Sequence, residues 1–322
     1  MRVLITGATG FLGRALIAAF HASGHATLAF SRHASTSGVP GETFDGDVRD
    51  AAALSRAMTG CDAVCHSAAL VSVWRKRSAE FDEINVGGLQ HVLAAARSAG
   101  VARIVYTSSF LALPPTGAAT PGRWNDYQRT KVLADEVASR AVADGAPLVR
   151  VYPGVIYGPG VLTESNLIGT MVADHLRGRL PGIVGAERVW SYAYVEDVAQ
   201  GHVSALVQGQ PGGRYHLGGE NAPQMRVFEI VRDLTGRSLP RRVPVALATV
   251  MGATGELWAG ITGRPPLLTA GTVEVLTRDW AMDSSAAIRE LGYRIMPLRE
   301  GIARVVEQAR LADRPPAAGS RA

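Results

Sequence analysis

The segment VLITGATGFLG, residues 3–13, decides the fold class of this chain. Its apolar start predicts a short buried strand, and three glycines separated by two residues each then lead into an amphipathic helix. Gly7 allows a tight turn, Gly10 leaves the backbone open to a pyrophosphate, and Gly13 lets the helix pack close to the strand. Free N–H groups at the start of such a helix favour an anion. The segment predicts a dinucleotide phosphate loop, with a plain strand-to-helix turn as the alternative.

Short apolar runs and helical patterns alternate through the first half of the chain. Alternation of this kind is typical of a parallel sheet wound by helices on both faces. Asp50 and Gly100 have the residue types of a helix N-cap and of a helix stop. The predicted strands are residues 2–6, 26–30, 63–66, 103–107 and 148–151, and the predicted helices are residues 12–22, 51–58, 79–98 and 127–143.

The pattern changes after Gly158-Pro159-Gly160, where helices at 166–177, 195–208 and 225–235 mix with Pro and Gly turns. A strand at 214–217 is placed to return to the main sheet. We therefore expect residues 1–158 to form a nucleotide-binding domain, with segments returning to it at about 188–218. Residues 159–187 and 219–312 would form a smaller interleaved α/β substrate domain. The tail 313–322 has the composition of a disordered segment.

Composition narrows the function classes. The chain has 322 residues, 47% of them hydrophobic, and a net charge of +5 whose basic and acidic residues are interspersed, which disfavours nucleic-acid binding. Its two cysteines cannot form a disulfide framework, which suits a reducing compartment. Cys61, Cys65 and His66 are more typical of a core than of a metal site, so no metal is expected.

Two features bear on location. Met1-Arg2 leads directly into the first strand without a leader pattern, so we expect a cytoplasmic protein. The apolar segment 243–262 carries Glu256 and three glycines, which favours a helix of a soluble protein over a membrane span. Contact of this segment with a membrane surface stays open.

The end of the second strand bears on the cofactor. Phe30-Ser31-Arg32-His33 contains no acidic residue that would accept from a ribose 2′-OH and repel a 2′-phosphate. Arg32 offers a planar cation for a phosphate, which favours NADP(H) over NAD(H), although a solvated surface arginine is the plain alternative. Asp47 is placed to accept from an adenine amino group while Val48 covers the ring.

Tyr127 and Lys131 are candidate catalytic residues. They are four apart in a predicted helix and so share one face. An ammonium about 4 Å from a phenol is worth roughly 4 kcal/mol, which predicts a phenol pKa lowered by up to about 3 units. The chain has only two lysines among 33 basic residues, and one of them stands here. A surface Tyr–Lys pair is the alternative.

Ser109 completes the constellation. It ends the apolar strand at 103–107 with two neighbouring hydroxyls, where an open α/β sheet presents its ligand site. Its hydroxyl can donate to a carbonyl oxygen that gains charge. Ser108 is the alternative for this role.

Taken together, these residues resemble the extended short-chain dehydrogenases/reductases, over about residues 1–310. The resemblance implies a Rossmann fold, a homodimer through helices 79–98 and 127–143, and structural or cofactor-adjacent roles, not catalytic ones, for His66 and Asn85. It places near the cofactor Gly7, Gly10, Phe11, Leu12, Gly13, Asp47, Val48, Ala68, Ala69, Lys131 and Pro153. The motifs that carry it are residues 6–13, Asp47-Val48, HSAA at 66–69, NVGG at 85–88, YTSS at 106–109, YQRTK at 127–131, YPG at 152–154, YGPG at 157–160 and YVEDVA at 194–199.

The chain departs from the sugar-nucleotide members of that family. They often carry an arginine for the diphosphate where this chain has Trp190, and Arg188 is offset by two residues. The chain therefore looks closer to the dihydroflavonol-reductase and 3β-hydroxysteroid-dehydrogenase-like branch. An apolar substrate would suit Trp74, Leu111, Tyr157, Leu162 and Trp190, each of which could equally be core.

The leading hypothesis is an NAD(P)H-dependent oxidoreductase that interconverts a ketone and a secondary alcohol on a lipophilic or aromatic small molecule. Ser109, Tyr127 and Lys131 are the catalytic residues in this hypothesis. A sugar-nucleotide epimerase or dehydratase that retains NAD is the second reading, and a non-catalytic cofactor-binding regulator is the third.

Overall fold

The strands assemble into a large parallel sheet and two small sheets. In the computed structural model, which describes residues 1–312, the strands are β1 Arg2–Thr6, β2 Ala26–Ser31, β3 Glu42–Asp45, β4 Ala63–His66, β5 Arg103–Thr107, β6 Leu148–Pro153, β7 Val155–Tyr157, β8 Ile183–Val184, β9 Val189–Tyr194, β10 Arg214–Leu217, β11 Glu220–Pro223 and β12 Arg242–Val243. The large sheet has the order β3-β2-β1-β4-β5-β6-β10 with every neighbouring pair parallel. This is the doubly wound order of a dinucleotide-binding sheet, and the strand order reverses between β1 and β4.

Helices cover both faces of this sheet. They are α1 Phe11–Ala22, α2 Ala51–Met58, α3 Ala79–Phe81, α4 Gly88–Ser98, α5 Asp126–Ala143, α6 Leu167–Leu176, α7 Val195–Gln208, α8 Gln224–Thr235, α9 Val245–Thr262, α10 Ala270–Leu276, α11 Ser285–Leu291 and α12 Leu298–Ala312. Successive strand residues point to opposite faces. Val3 and Ile5 pack with α1 and α7 in one core, while Leu4 packs with α2 and α4 in another. The predicted Rossmann-type fold is confirmed.

Most predicted elements match within two residues, and Arg214–Leu217 does return to the sheet beside β6. Asp50 caps α2 by accepting from the backbone N–H of Ala53, and Gly100 has a positive φ of 67° after α4. Two details differ. The edge strand β3 was not predicted, because it is largely exposed and lacks an apolar alternation. The predicted helix 79–98 contains a π-helical turn at Asp82–Gly87.

The later part of the chain builds the other two sheets, in the orders β11-β9-β7 and β12-β8. An aromatic core lies beneath them, with Tyr157, Trp190, Tyr192, Phe228 and Trp280 all buried. Of the segment 188–218, which was predicted to return to the nucleotide-binding domain, β10 joins the main sheet, whereas β9 belongs to the three-stranded sheet. The predicted division into two domains stays a prediction, and the predicted disordered tail lies outside the described residues.

Among residues 1–312, one helix, Val245–Thr262, is long and apolar enough to cross a membrane by length and composition. Only Ala248, Gly252 and Ala259 within it are buried. The same part of the chain contains no group of three or more His, Cys, Asp or Glu side chains placed to hold a metal ion. Cys61 and Cys65 are both free and buried.

Candidate active site

The glycine loop between β1 and α1 is built for close approach. Gly7 has a φ of +70°, and a Cβ there would lie 2.8 Å from the backbone nitrogen of Ala68. A Cβ on Gly13 would collide with the Gly7 carbonyl oxygen. Gly10 occupies the N-cap of α1 and has no side chain to cover the first turn. The loop therefore presents backbone N–H groups to an anion at the helix start, which fits the pyrophosphate of a dinucleotide.

A cleft of about 730 Å³ opens from this loop along the carboxyl edge of the sheet. That volume is typical of a small-molecule or cofactor site. All the predicted site residues line it, namely Gly7, Gly10, Phe11, Leu12, Gly13, Arg32, Asp47, Val48, Ala68, Ala69, Ser109, Tyr127, Lys131 and Pro153. The structure thus brings the predicted cofactor residues and the predicted catalytic residues to one cavity.

At the end of the cleft beside β2, charged side chains line the cavity. Arg49 grips Asp47 through two side-chain bonds of 3.0 and 2.7 Å, which lowers the pKa of that carboxyl. Arg32 is exposed and makes no ion pair within residues 1–312. The buried hydroxyl of Ser31 likewise has no hydrogen-bond partner within that range. This end of the cleft therefore holds an exposed guanidinium, which helps to lower the pKa of Asp47 without a close ion pair, and an unpaired hydroxyl.

The two candidate serines after β5 have different partners. Ser108 donates to Asp135 at 3.2 Å. The Ser109 hydroxyl accepts from the backbone N–H of Leu111 at 3.1 Å, and it lies close enough to the Tyr127 phenol to lower the pKa of that phenol. Because Ser108 is committed to the carboxylate, Ser109 is the hydroxyl that accompanies the phenol in the cleft.

The phenol and the ammonium lie in the same cavity, but the expected pKa shift of Tyr127 is wrong in sign. Desolvation raises the pKa of Tyr127 to about 12, and the nearby Ser109 hydroxyl opposes this rise. Lys131 is buried, and its Nζ donates to the carbonyl oxygen of Thr107 at 3.0 Å. Burial lowers the pKa of Lys131 to about 8, although Asp135 opposes the effect. The ammonium is thus directed at the backbone of β5, and burial, not the ammonium, sets the direction of the pKa shift at the phenol.

Sequence reasoning missed two residues that support the site. Asp135 lies one turn beyond Lys131 on α5 and accepts from Ser108 and from the Tyr152 hydroxyl, the latter at 2.7 Å. Because Asp135 follows Lys131 by four residues, a helix places the two side chains on the same face, and this spacing could have indicated the role of Asp135. Asn125 lines the cleft and caps α5 by accepting from the N–H of Gln128 at 2.8 Å. It fixes the start of the helix that carries Tyr127.

The predicted structural roles of His66 and Asn85 agree with their contacts. His66 is buried, shares a 2.7 Å hydrogen bond with Thr6, and has its pKa lowered to about 3 by desolvation. The Asn85 side chain accepts from the N–H of Leu70 and donates to Thr130 at 3.0 Å. Both side chains fix the backbone beside the cleft.

The far end of the cleft is apolar. Phe110, Leu111, Trp190, Val275 and Leu276 line it. Of the residues expected to suit an apolar substrate, Leu111 and Trp190 are therefore placed in the lining. Trp74 and Leu162 do not belong to it, and Tyr157 is fully buried in the aromatic core.

Arg188, the alternative cation for a diphosphate, pairs instead with Asp279 at 3.3 Å. It does not belong to the cleft lining within the described residues. The position where sugar-nucleotide members of the family often carry an arginine is therefore occupied by Trp190 at the apolar end of the cleft.

A sheet of this order, with a glycine loop at its switch point and a Ser, Tyr and Lys in the same cleft, defines an extended short-chain dehydrogenase/reductase. The chain belongs to the NAD dependent epimerase/dehydratase family, whose model matches residues 3–218. The predicted resemblance is confirmed. Members of the family and relatives of this chain are oxidoreductases and epimerases that use nicotinamide cofactors.

Several curated relatives cover nearly the whole chain. Sterol demethylase protein B of Methylococcus capsulatus is 30% identical over 91% of this chain and 93% of that protein. A putative dihydroflavonol 4-reductase of Synechocystis is 29% identical over 94% and 92%. A 2-alkyl-3-oxoalkanoate reductase of Stenotrophomonas maltophilia is 30% identical over 95% and 98%. These relatives agree with the predicted reductase-like branch.

Solved structures share the fold throughout. The crystal structure of gox2253 superposes with a TM-score of 0.82 at 28% identity, over 97% of this chain and 98% of that one. A UDP-glucose 4-epimerase of Thermus thermophilus, solved as a complex with NAD, gives a TM-score of 0.74 at 26% identity over 96% and 99%.

Proposed function

We propose that this protein is an NAD(P)H-dependent reductase that converts a ketone on a lipophilic small molecule into a secondary alcohol. The observation that carries the proposal is the single cleft that runs from the glycine loop past Ser109, Tyr127 and Lys131 into an apolar end. A bound nicotinamide would supply the hydride to the carbonyl carbon. The names of the relatives suggest 2-alkyl-3-oxoalkanoates and sterol ketones as first substrates to test.

Each catalytic side chain has a distinct task in this proposal. Ser109 donates a hydrogen bond to the carbonyl oxygen as negative charge develops there. Tyr127 gives its proton to the same oxygen, since a phenol whose pKa is about 12 stays protonated at neutral pH. Lys131 would hold a ribose hydroxyl of the cofactor and keep a positive charge beneath the site. A protonated phenol is the form of Tyr127 that the reduction of a ketone requires.

The decisive experiment is the replacement Tyr127→Phe. We expect turnover to fall by at least about 100-fold, the usual contribution of a general acid, while NADPH binding by calorimetry changes little. Tyr215→Phe is the matched control, since Tyr215 is buried outside the cleft lining and loses the same hydroxyl. Full activity of Tyr127→Phe in a carbonyl panel followed at 340 nm would remove the mechanism.

We further propose that NADP(H) is preferred over NAD(H). The exposed Arg32 guanidinium, which makes no close ion pair within residues 1–312, supports this, because it can pair with a 2′-phosphate. The structure of the Thermus epimerase holds NAD, which makes the comparison of both cofactors necessary. Calorimetric titration with NADPH and NADH measures the preference directly, and tighter binding of NADH would reverse it.

The other readings have distinct outcomes. A sugar-nucleotide epimerase would retain NAD through purification and show no net change at 340 nm. The pairing of Arg188 with Asp279 and the indole of Trp190 speak against a diphosphate at this end of the cleft. A non-catalytic regulator would bind cofactor without turnover, and it would have no use for the three catalytic side chains together.

A homodimer through the helices at 79–98 and 127–143, and a cytoplasmic location, remain part of the proposal. Analytical ultracentrifugation measures the first, and cell fractionation measures the second.

A further inference from the structure

Helix α9 presents its large apolar side chains outward. Its buried residues are the small Ala248, Gly252 and Ala259. The carboxylate of Glu256 is turned inward and accepts from the backbone N–H of Ala270 at 3.2 Å. The outward residues, which we name the outer α9 face, are Leu247, Val250, Met251, Leu257, Trp258 and Ile261.

The arrangement is the reverse of an ordinary surface helix. At about 100° per residue, the outer α9 face occupies an arc of about 120° on the side opposite the buried small residues. Leu257, Trp258 and Ile261 are 72%, 64% and 80% exposed. Leu267, in the segment after α9, is also exposed and adds a further apolar side chain nearby. A contiguous apolar patch of this kind marks an interaction surface.

The outer α9 face lies one helix away from the cleft. α9 packs on α10 so closely that a Cβ on Gly252 would lie 2.8 Å from the backbone nitrogen of Ala270. The same helix α10 supplies Thr272, Val275 and Leu276 to the lining of the cleft. A surface that binds the outer α9 face would therefore also lie near the apolar end of the cleft.

The surroundings of the face are basic. Residues 237–273 contain four arginines and one acidic residue, the inward-turned Glu256. Arg237, Arg241, Arg242 and Arg264 are all exposed. Arg242 is paired with Glu187 at 2.6 Å, and the others add positive charge at both ends of α9. Such a pattern complements an anionic surface.

We propose that the outer α9 face docks on an anionic phospholipid bilayer, with α9 lying in the plane of the interface. Apolar residues would enter the boundary of the acyl chains and the flanking arginines would meet the headgroups, as in other interfacial helices. Docking would present the apolar end of the cleft to a substrate dissolved in the membrane. This last step rests on the proposed reductase function, whereas the docking itself does not.

A second copy of the chain fits the face less well. An isologous contact would place the arginines of two copies against each other. An 18-residue helix is about 27 Å long and about 10 Å wide, a footprint on the order of 300 Å². A stable interface needs about 800 Å² on each partner.

The experiment is co-sedimentation of the full chain with large vesicles of phosphatidylcholine, with or without phosphatidylglycerol. The test variant carries Leu257→Ser, Trp258→Ser and Ile261→Ser. The matched control carries Val207→Ser, Ile288→Ser and Leu311→Ser, three exposed apolar residues on other helices. Circular dichroism checks the folding of both. We expect the test variant to lose at least about 100-fold in vesicle partitioning, and the control to match the wild type.

Two further readouts use the unmodified chain. Partitioning is expected to rise with the fraction of phosphatidylglycerol and to fall with salt, because the arginine attraction is screened. Lipids brominated on the acyl chain are expected to quench Trp258, and Trp258→Phe is expected to remove that quenching. Quenching of the wild type keeps the proposal testable if the triple variant fails to fold.

Each outcome decides the proposal. The docking proposal would be overturned if the wild type did not bind vesicles at about 1 mM lipid. Equal binding of the test variant and the wild type would overturn it as well. A dimer in ultracentrifugation that the test variant dissociates, without vesicle binding, would assign the face to a second copy. Vesicle binding with no ketone reduction would support the docking and reject the proposed reductase function.

Discussion

Replacing Lys131 with methionine is expected to stabilise the protein while it abolishes catalysis. Lys131 is 4% exposed, and desolvation lowers the pKa of its ammonium from the ordinary 10.5 to about 8. A shift of about 2.5 units is worth about 3 kcal/mol at 1.36 kcal/mol per unit. The Nζ bond to Thr107 returns about 1 kcal/mol, so Lys131→Met should raise the free energy of unfolding by about 2 kcal/mol at pH 7.

The effect depends on pH with a definite sign. Below pH 8 the ammonium of Lys131 is charged in both states, and the folded state bears the full desolvation penalty. Between about pH 8 and 10.5 the folded state releases its proton while the unfolded state keeps it, so the stability of the wild type rises with pH. Above that window both states are neutral and the penalty is gone. The stability gap between Lys131→Met and the wild type should therefore close as the pH rises through this window.

The assay is unfolding of the cofactor-free protein in urea at pH 7 and near pH 10, with variants compared by their midpoints. The variants are compared by their midpoints because a chain of this length often unfolds through intermediates, and a single free energy of unfolding is then not well defined. The control is Lys76→Met, which removes the other lysine of the chain from an exposed loop and should show no such gap. If Lys131→Met is less stable than the wild type at pH 7, or if its gap is the same at both pH values, burial of the charge is not what sets the state of this lysine.

Three further predictions test the rest of the site. Gly13→Ala should abolish cofactor binding by calorimetry because its Cβ collides with the loop backbone, while Gly260→Ala, which has open space, should preserve binding; equal binding by both would refute the close-approach argument. Arg32→Ala should weaken NADPH binding by about 10-fold and leave NADH binding unchanged, and parallel losses for both cofactors would contradict a phosphate contact. Asp135→Asn should lower the pKa of Lys131 further, since the carboxylate now raises it. The pH at which the Lys131→Met gap closes should then move down in the Asp135→Asn background, and an unmoved value would show that the carboxylate does not act on the ammonium.

The parallel, doubly wound character of the main sheet could be predicted from the sequence because its strands are buried on both faces. The residues of β1, β4 and β5 form continuous apolar runs, and each helix between them carries an apolar stripe. β3 lies at the sheet edge with mostly exposed side chains, so its sequence has no alternation of apolar and polar residues that would predict a strand. The π-helical turn at Asp82–Gly87 was equally hidden, since it changes the backbone bonding without changing the apolar face.

The residues of the site were predictable from spacing, but their electrostatics were not. Spacing on a helix places Tyr127 and Lys131 on one face, whatever surrounds them. The sign of a pKa shift depends on how much water each group loses and on where the ammonium points, which only the packed structure defines. Desolvation raises the pKa of Tyr127 from 10.0 to about 12 and lowers that of Lys131 from 10.5 to about 8, so the two values cross and move apart. At neutral pH the phenol therefore holds its proton while the lysine stays charged, which is the protonation state that the proposed reduction requires of the two side chains.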